Sequence, residues 1–220
     1  MKLVLASGSQ RRRELLTMCG YDYEIIVSNA DETIDENDPE SFVRALSFRK
    51  AKEVFDRLFA AGRRDFAVIG SDTVVAFQKE GETKPVIIGK PKDAEDAVRI
   101  LSMLSGKTHR VFTGVSVIAD ISDENAAAQC SIREKAEIQT ECSITEVTFE
   151  TLSPDEITDY VNSGDPLDKA GSYGIQGPFG MFVREIRGNY FTVIGMPIPV
   201  LYKMLKKIGI LPHGFYERIE

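Results

Sequence analysis

The stretch LVLASGSQRRREL, residues 3–15, sets three small residues and three consecutive arginines where an apolar run gives way to a helical pattern. If Ser9 caps that helix, its first amides point outward unpaired and the helix dipole adds positive potential, which together make an anion site. Small Ser7, Gly8 and Ser9 let a phosphate approach the backbone closely. On a wheel of about 100° per residue, Leu15, Leu16 and Cys19 define the inner face. Arg12 falls inside that face, Arg11 on its flank, and Arg13 points away. An inner-face arginine in a first turn needs an anionic partner, so Arg12 is the candidate and Arg13 reads as surface charge.

A second group centres on Asp72, set in AVIGSDTVVAF with apolar residues on both sides. A carboxylate there is expensive to bury unless it meets a cation, a metal or several donors. The plainer alternative is an aspartate capping a bulge at an interruption of the strand. Glu32, in the acidic stretch NADETIDENDPE, could join Asp72 around a divalent ion, since hard cations such as magnesium take carboxylate oxygens and bridge phosphates. Taken alone, Glu32 is one of several solvated acids. Lys50 makes a third case: it shares a helical face with Leu46 and Val54, where snorkelling is the plainer alternative to a role in the chemistry. Lys90, in GKP, follows a strand and precedes a turn, and by itself means little. GDPLDKAGSYGIQGPFG is rich in glycine yet places Asp168, Lys169 and Gln176 within a few positions, more chemistry than a connector requires.

Missing motifs narrow the chemistry. Neither GxxxxGK[ST] nor GxGxxG occurs, so the usual phosphate-loop families are not supported. The two histidines, His109 and His213, have no triad setting, which argues against a serine or cysteine nucleophile. Arginines, lysines and carboxylates remain, a set suited to phosphoryl or nucleotidyl chemistry with metal and water. The formal net charge of -7 and a sequence pI near 5.1 argue against a nucleic-acid partner, which needs a wide basic surface. Cys19, Cys130 and Cys142 have neither disulfide-framework nor zinc spacing. With no signal-peptide layout and no apolar run near the ~20 residues of a bilayer span, the expectation is a soluble, cytoplasmic protein with no membrane partner.

The elements that position these residues follow an α/β pattern in a chain of 220 residues, the length of one domain. KLVLA reads as a short buried strand and QRRRELLTMCG as a helix closed by Gly20. SFVRALSFRKAKEVFDRLFAAG is a long helix with Phe42, Val43, Leu46, Val54, Leu58 and Phe59 on one face. DFAVIGSDTVVAF reads as a strand with an interruption, QKEGETKP as a turn, and VIIG as its partner strand. DAEDAVRILSMLSG is a helix before the strand RVFTGVSVIAD, and ECSITEVTFETL resumes the alternation. Residues 121–139, which lose the apolar period, read as an exposed insertion between two paired strands. In SPDEITDYVNSG, Ser153, Pro154 and Glu156 spell a capping box.

Taken in order, LASGSQRRRELL, DET, RKAKEV, GSDTVV, IIGKPKDAEDAVRILSMLSGKTHRVFTGV, GDPLDKAGSYGIQG and GNYFTVIGMPI resemble the successive motifs of the Maf family over nearly the whole chain, apart from residues 121–139. These are septum-formation-inhibitor-like nucleoside triphosphate pyrophosphatases. The resemblance implies an elongated mixed sheet flanked by helices, with two lobes and a central cleft. It also implies a metal-dependent enzyme that splits a nucleoside triphosphate to the monophosphate and pyrophosphate. By position, Ser7, Ser9 and Arg12 match the family's signature loop, Glu32 and Lys50 its next two polar sites, and Asp72 its proposed proton acceptor. Lys90 matches the lysine of the family's GKP motif, while Asp168 and Lys169 fall in its DKAG motif. Gln10 departs from the usual proline, which implies a softer loop and a retained site.

The subgroup that acts on dTTP and UTP carries arginine in the signature loop, threonine after the aspartate and glutamine in GIQG, here Arg11, Thr73 and Gln176. A glutamine amide can offer a donor and an acceptor to a uracil or thymine edge. The expected mechanism places the triphosphate at the helix start, neutralised by Arg12, Lys50 and Lys90, with Glu32 and Asp72 holding magnesium or manganese and Asp72 activating a water; since metal binding lowers a carboxylate's basicity, a metal-bound hydroxide is the alternative nucleophile. The nucleotide is then the partner, normal or modified, and a homodimer is an expectation from the family, where dimers are common. The alternatives are a regulatory nucleotide-binding protein of cell-division control with weak hydrolysis, and a nucleic-acid-binding module.

Overall fold

The computed structural model describes residues 1–78, 81–82, 84–121 and 136–214. Its strands are β1 (Lys2–Leu5), β2 (Tyr23–Ile25), β3 (Phe66–Phe77), β4 (Val86–Ile88), β5 (Thr108–Asp120), β6 (Ala136–Phe149) and β7 (Val183–Arg187). Its helices are α1 (Gln10–Met18), α2 (Pro39–Ala60), α3 (Ala94–Leu104), α4 (Pro154–Asn162), α5 (Tyr190–Ile194) and α6 (Ile198–Lys207). The strands form one mixed sheet in the order β2-β1-β3-β5-β6-β7, with β4 also paired to β3. β1 is parallel to both neighbours, and the remaining pairs are antiparallel.

The alternation of side chains along β3 and β5 decides the layers. Ala67 and Ile69 join Val115 and Val117 in a core with α1 and α6, whereas Phe66 and Val68 join Ile118 against α2. Farther along β3, Val75 and Phe77 pack with α3 and α4, while Val74 and Ala76 stay on the α2 face. Among the described residues, one face of the sheet is thus covered by α2, and the other by α1 with α6 at one end and α3 with α4 at the other. The sheet makes the closest contact with α2 at two glycines. A Cβ at Gly70 would stand 2.1 Å from the Ser47 carbonyl oxygen, and one at Gly114 2.2 Å from that of Val43.

Local signals explain most helix boundaries. Asp38 accepts from the Ser41 amide ahead of Pro39 to start α2, Asp93 accepts from the Asp96 amide to start α3, and Ser153 with Glu156 closes the capping box of α4. At α1 the expectation is corrected: Ser9 occupies the cap position, but its side chain makes no capping bond. The Ser7 hydroxyl instead accepts from the Ser9 amide at 3.2 Å.

The strand interruption expected around Asp72 does not occur. β3 runs continuously against β5 from Ala67 to Ala76 and changes partner on its other edge, leaving β1 at Ile69 and meeting β4 at Val75. The residues between have an open edge, and Asp72 sits in that gap, so it caps no bulge. Of the segment 121–139 read as an insertion, residues 122–135 lie outside the described residues; 136–139 already belong to β6, paired with β5 from Asp120↔Ala136 onward. Among the described residues no helix is long and apolar enough to cross a membrane.

Candidate active site

The gap in the edge of β3 is the floor of a cleft of about 1130 Å³. Every residue singled out in the sequence for catalysis, substrate or metal lines it, brought there by the start of α1, the stretch between β2 and α2, the middle of α2, β3, the end of β4 and the turns after α4. Arg13 is not in the wall; its guanidinium turns back to the Gly8 carbonyl at 3.2 Å.

One corner is built to bind an anion. The first intrahelical bond of α1 runs from the Arg13 amide to Ser9, so the amides of Gln10, Arg11 and Arg12 have no acceptor within the helix. Arg12 donates from Nε to the Gly195 carbonyl at 2.9 Å, from Nη1 to Ser7 Oγ at 3.1 Å and from Nη2 to Thr73 Oγ1 at 3.4 Å. A guanidinium has five N–H groups, so two remain for a ligand. Ser7 Oγ already accepts from the Ser9 amide and from Arg12, which leaves its O–H to donate. Burial lowers the Arg12 pKa, opposed by the charge of Asp72, and the guanidinium stays charged at any physiological pH.

The opposite corner is carboxylate. Lys50 Nζ, its side chain 12% exposed, donates to Asp72 Oδ1 at 2.7 Å and pairs with Glu32 Oε1 at 3.0 Å. Asp72 is nearly as enclosed as Lys50, whereas Glu32 is largely exposed. Lys50 therefore ends on the enclosed Asp72 carboxylate, which corrects the alternative that it snorkels to solvent. Among the described residues no group of three or more His, Cys, Asp or Glu could hold a metal ion. Two hard carboxylates, Asp72 on the floor of the cleft and the more exposed Glu32 above it, do fit a magnesium ion that completes its shell with substrate oxygens and water.

The turns after α4 close the cleft through a chain of ion pairs. Tyr160 Oη on α4 donates to Asp165 Oδ2 at 2.5 Å and accepts from the Gly174 amide at 3.1 Å. Lys169 Nζ donates to Asp165 Oδ1 at 3.0 Å, to the Asp165 carbonyl and to Asp168 Oδ1 at 2.7 Å, which engages all three of its protons. Asp168 Oδ2 then pairs with Arg11 Nη1 at 3.1 Å. Burial tends to raise the Asp168 pKa, but Lys169 and Arg11 outweigh it and hold the carboxyl below its ordinary value. Gln176 lies exposed on the cleft wall and Lys90 exposed beside it, its strand end tied by the Gly171 amide to the Gly89 carbonyl at 3.0 Å.

A buried hydroxyl relay sits beneath Arg12. Thr113 Oγ1 donates to the Thr192 carbonyl at 2.7 Å and lies 3.0 Å from Thr73 Oγ1. With the Thr113 proton so engaged, Thr73 must donate to Thr113 and accept from Arg12. Thr73 thus lines the cleft and also supports Arg12 within it. Sequence reasoning missed Thr113, Thr192 and Gly195, because only the tertiary fold brings α5 under α1. It also missed Glu36, Asn37 and Tyr173 in the cleft wall. The motif GNYFTVIGMPI was the available signal: its Gly195 takes φ +108, offers its carbonyl to Arg12 and Ser71, and has Thr73 Oγ1 3.1 Å from where a Cβ would stand.

Fold and site together define an α/β protein with an anion-binding corner facing a lysine-braced carboxylate. The fold is similar to that of the Staphylococcus aureus Ham1 protein, with a TM-score of 0.50, 16% identity, and coverage of 94% of this chain and 100% of that one. The chain belongs to the Maf-like protein family, whose family model matches residues 2–208. A dTTP/UTP pyrophosphatase of Agathobacter rectalis is 41% identical over 217 residues, covering 95% of this chain and 98% of the relative. The dTTP/UTP pyrophosphatase of Bacillus thuringiensis subsp. konkukian is 42% identical over 210 residues, with 95% and 96% covered. That of Lachnoclostridium phytofermentans is 40% identical over 209 residues, again with 95% and 96% covered.

Proposed function

We propose that this protein is a cytoplasmic nucleoside triphosphate pyrophosphatase that hydrolyses dTTP and UTP, normal or modified, to the monophosphate and pyrophosphate. The observation that carries the reading is the pairing of two unlike corners in one cleft: unused donors at Ser7, Arg12 and the start of α1, and a half-buried Asp72 braced by Lys50. Relatives of similar length named for this activity support it.

In this reading the Ser7 hydroxyl, the free N–H groups of Arg12 and the first amides of α1 bind phosphate oxygens. Lys90 adds charge from the exposed rim. Lys50 holds Asp72 Oδ1 in place, and Asp72 Oδ2 takes the proton of a water that attacks phosphorus; the bond to the bridging oxygen breaks and pyrophosphate leaves with the electron pair. Glu32 and Asp72 would hold magnesium or manganese, which offsets phosphate charge when bound. Gln176 presents donor and acceptor to the pyrimidine edge, Arg11 and Asp168 stand together as an adjustable pair beside it, and Lys169 fixes Asp168. Unpaired Cys19 and Cys142 suit a reducing cytoplasm.

Pyrophosphate release from a panel of nucleoside triphosphates, with and without magnesium, tests the proposal. Release from dTTP and UTP but not ATP or GTP, dependent on the ion, is expected. Asp72→Asn should lower kcat by roughly 100-fold or more with the circular dichroism spectrum retained. Near-normal turnover in that variant would remove Asp72 from the chemistry. Tight dTTP binding without release would favour the regulatory nucleotide-binding alternative.

A further inference from the structure

Glu32 lies in a stretch, residues 26–37, that contains no helix or strand, and its side chain is 65% exposed, yet its carboxylate stands on Lys50. The grip on this stretch comes from α2. Arg57, Glu53 and Arg49 follow one another at four-residue spacing and so form one stripe on the helix. Arg57 Nη2 donates to the Val27 carbonyl at 3.0 Å, Glu53 Oε2 accepts from the Asn29 amide at 3.0 Å, and Arg49 Nη1 donates to the carbonyls of Asp31 and Thr33, both at 2.8 Å. The rungs fall on Val27, Asn29, Asp31 and Thr33, every second residue.

The two periods match. Four residues of helix advance about 6 Å, and two residues of extended chain about 6.6 Å, so a helical stripe and an extended backbone running opposite ways keep step over three rungs. Exposure alternates over the first rungs, with Val27, Asn29 and Asp31 exposed and Ser28 and Ala30 half-buried, and the alternation ends there, since Glu32 and Thr33 are both exposed. The last rung differs from the others, because the two carbonyls that Arg49 takes belong to the residues before and after Glu32. The neighbouring residue on α2, Lys50, takes the Glu32 carboxylate itself.

We infer that Arg49 is a positioning residue for Glu32, which clamps the backbone on both sides of it and so sets its carboxylate on Lys50 beside Asp72. The functional half of this inference rests on the proposed role of Glu32 in turnover. Arg49 reads only backbone carbonyls, and the Asp31 carboxylate adds a bond of its own across Glu32 by accepting from the Thr33 amide at 2.9 Å.

Amide exchange and kinetics test it together, with Arg49→Met, Arg49→Lys, Glu32→Gln and the Arg49→Met/Glu32→Gln double variant. Arg49→Met should speed exchange of amides 29–33 roughly tenfold while α2 amides and Tm stay as in the wild type, and lower kcat for dTTP roughly tenfold with KM little changed. Arg49→Lys, which keeps one charged donor, should recover part of both effects. In the double variant kcat should match Glu32→Gln alone, because the clamp acts only through that carboxylate. Unchanged exchange in Arg49→Met overturns the clamp. Faster exchange with unchanged kcat, where Glu32→Gln is impaired, overturns the positioning role. A Glu32→Gln enzyme of normal activity would instead overturn the role of Glu32 in turnover while the exchange result still judges the clamp.

Discussion

Ser7 accepts two hydrogen bonds, from the Ser9 amide and from Arg12, and a hydroxyl with both lone pairs engaged can only donate. That proton is what distinguishes a phosphate-binding serine from a structural one. Ser7→Ala removes the donor and strips Ser9 and Arg12 of an acceptor, so KM for dTTP should rise roughly tenfold. Steady-state kinetics checks this, and an unchanged KM would place the phosphates elsewhere. The wheel that put Arg12 on the inner face of α1 read its direction correctly, because one helix turn is local information. The Gly195 carbonyl and the Thr113–Thr73 relay are not legible as contacts, even with GNYFTVIGMPI in view, since Gly195 lies 183 residues from Arg12 and Thr113 lies 40 from Thr73.

Helix α2 carries the positioning of half the site, and it is seated on the sheet backbone to backbone at Gly70 and Gly114. A methyl group at Gly114 would meet the Val43 carbonyl oxygen at 2.2 Å, and backbone cannot swing aside as a side-chain tip can. Gly114→Ala must lift α2 or bend the sheet, at a cost of about 3 kcal/mol in the range seen for overpacked cores. Urea denaturation measures that loss, and residual activity should fall as well, because Lys50 rides on the same helix. The sequence period shows α2 and its apolar face, but opens the helix at Ser41 and leaves Asp38 and Pro39 in the acidic loop, whereas the Asp38 cap starts it at Pro39. The same reading breaks β3 in two because polar residues in an apolar run look like a boundary. Here they mark an open stretch of edge between β1 and β4 within a continuous strand.

At the scale of the molecule, two cores lie on one side of the sheet, and the one beneath α3 and α4 is organised around aromatic rings. His109 belongs to it: 2% exposed, its Nε2 lies 3.0 Å from Tyr173 Oη, and its ring meets Phe149 edge-on. Burial pushes its pKa down from 6.5 to about 3, so it is neutral in the folded protein and charged in an unfolded chain below pH 6.5. Its contribution to stability is complete above that pH and is lost as pH falls toward about 3, at about 1.4 kcal/mol per pH unit. Between pH 6.5 and 4.5 the wild type should lose about 2–3 kcal/mol more than His109→Gln, read from urea unfolding at both pH values. The α/β class and most elements as far as α4 are legible from alternating periods, whereas β2, β7, α5 and α6 are not, and the partition into cores requires the sheet order, which no single segment encodes.

β3 and β5, 12 and 13 residues long, pass unbroken beneath the cleft from one end of the sheet to the other and are paired throughout the open stretch. The two walls of the cleft are thus joined by a twisted two-stranded beam. Any change in the width of the cleft has to flex that beam along its length, with the restoring force spread over many backbone hydrogen bonds. Such a mouth behaves as a spring of preset gauge, and a nucleotide is measured against a width that the strands already hold.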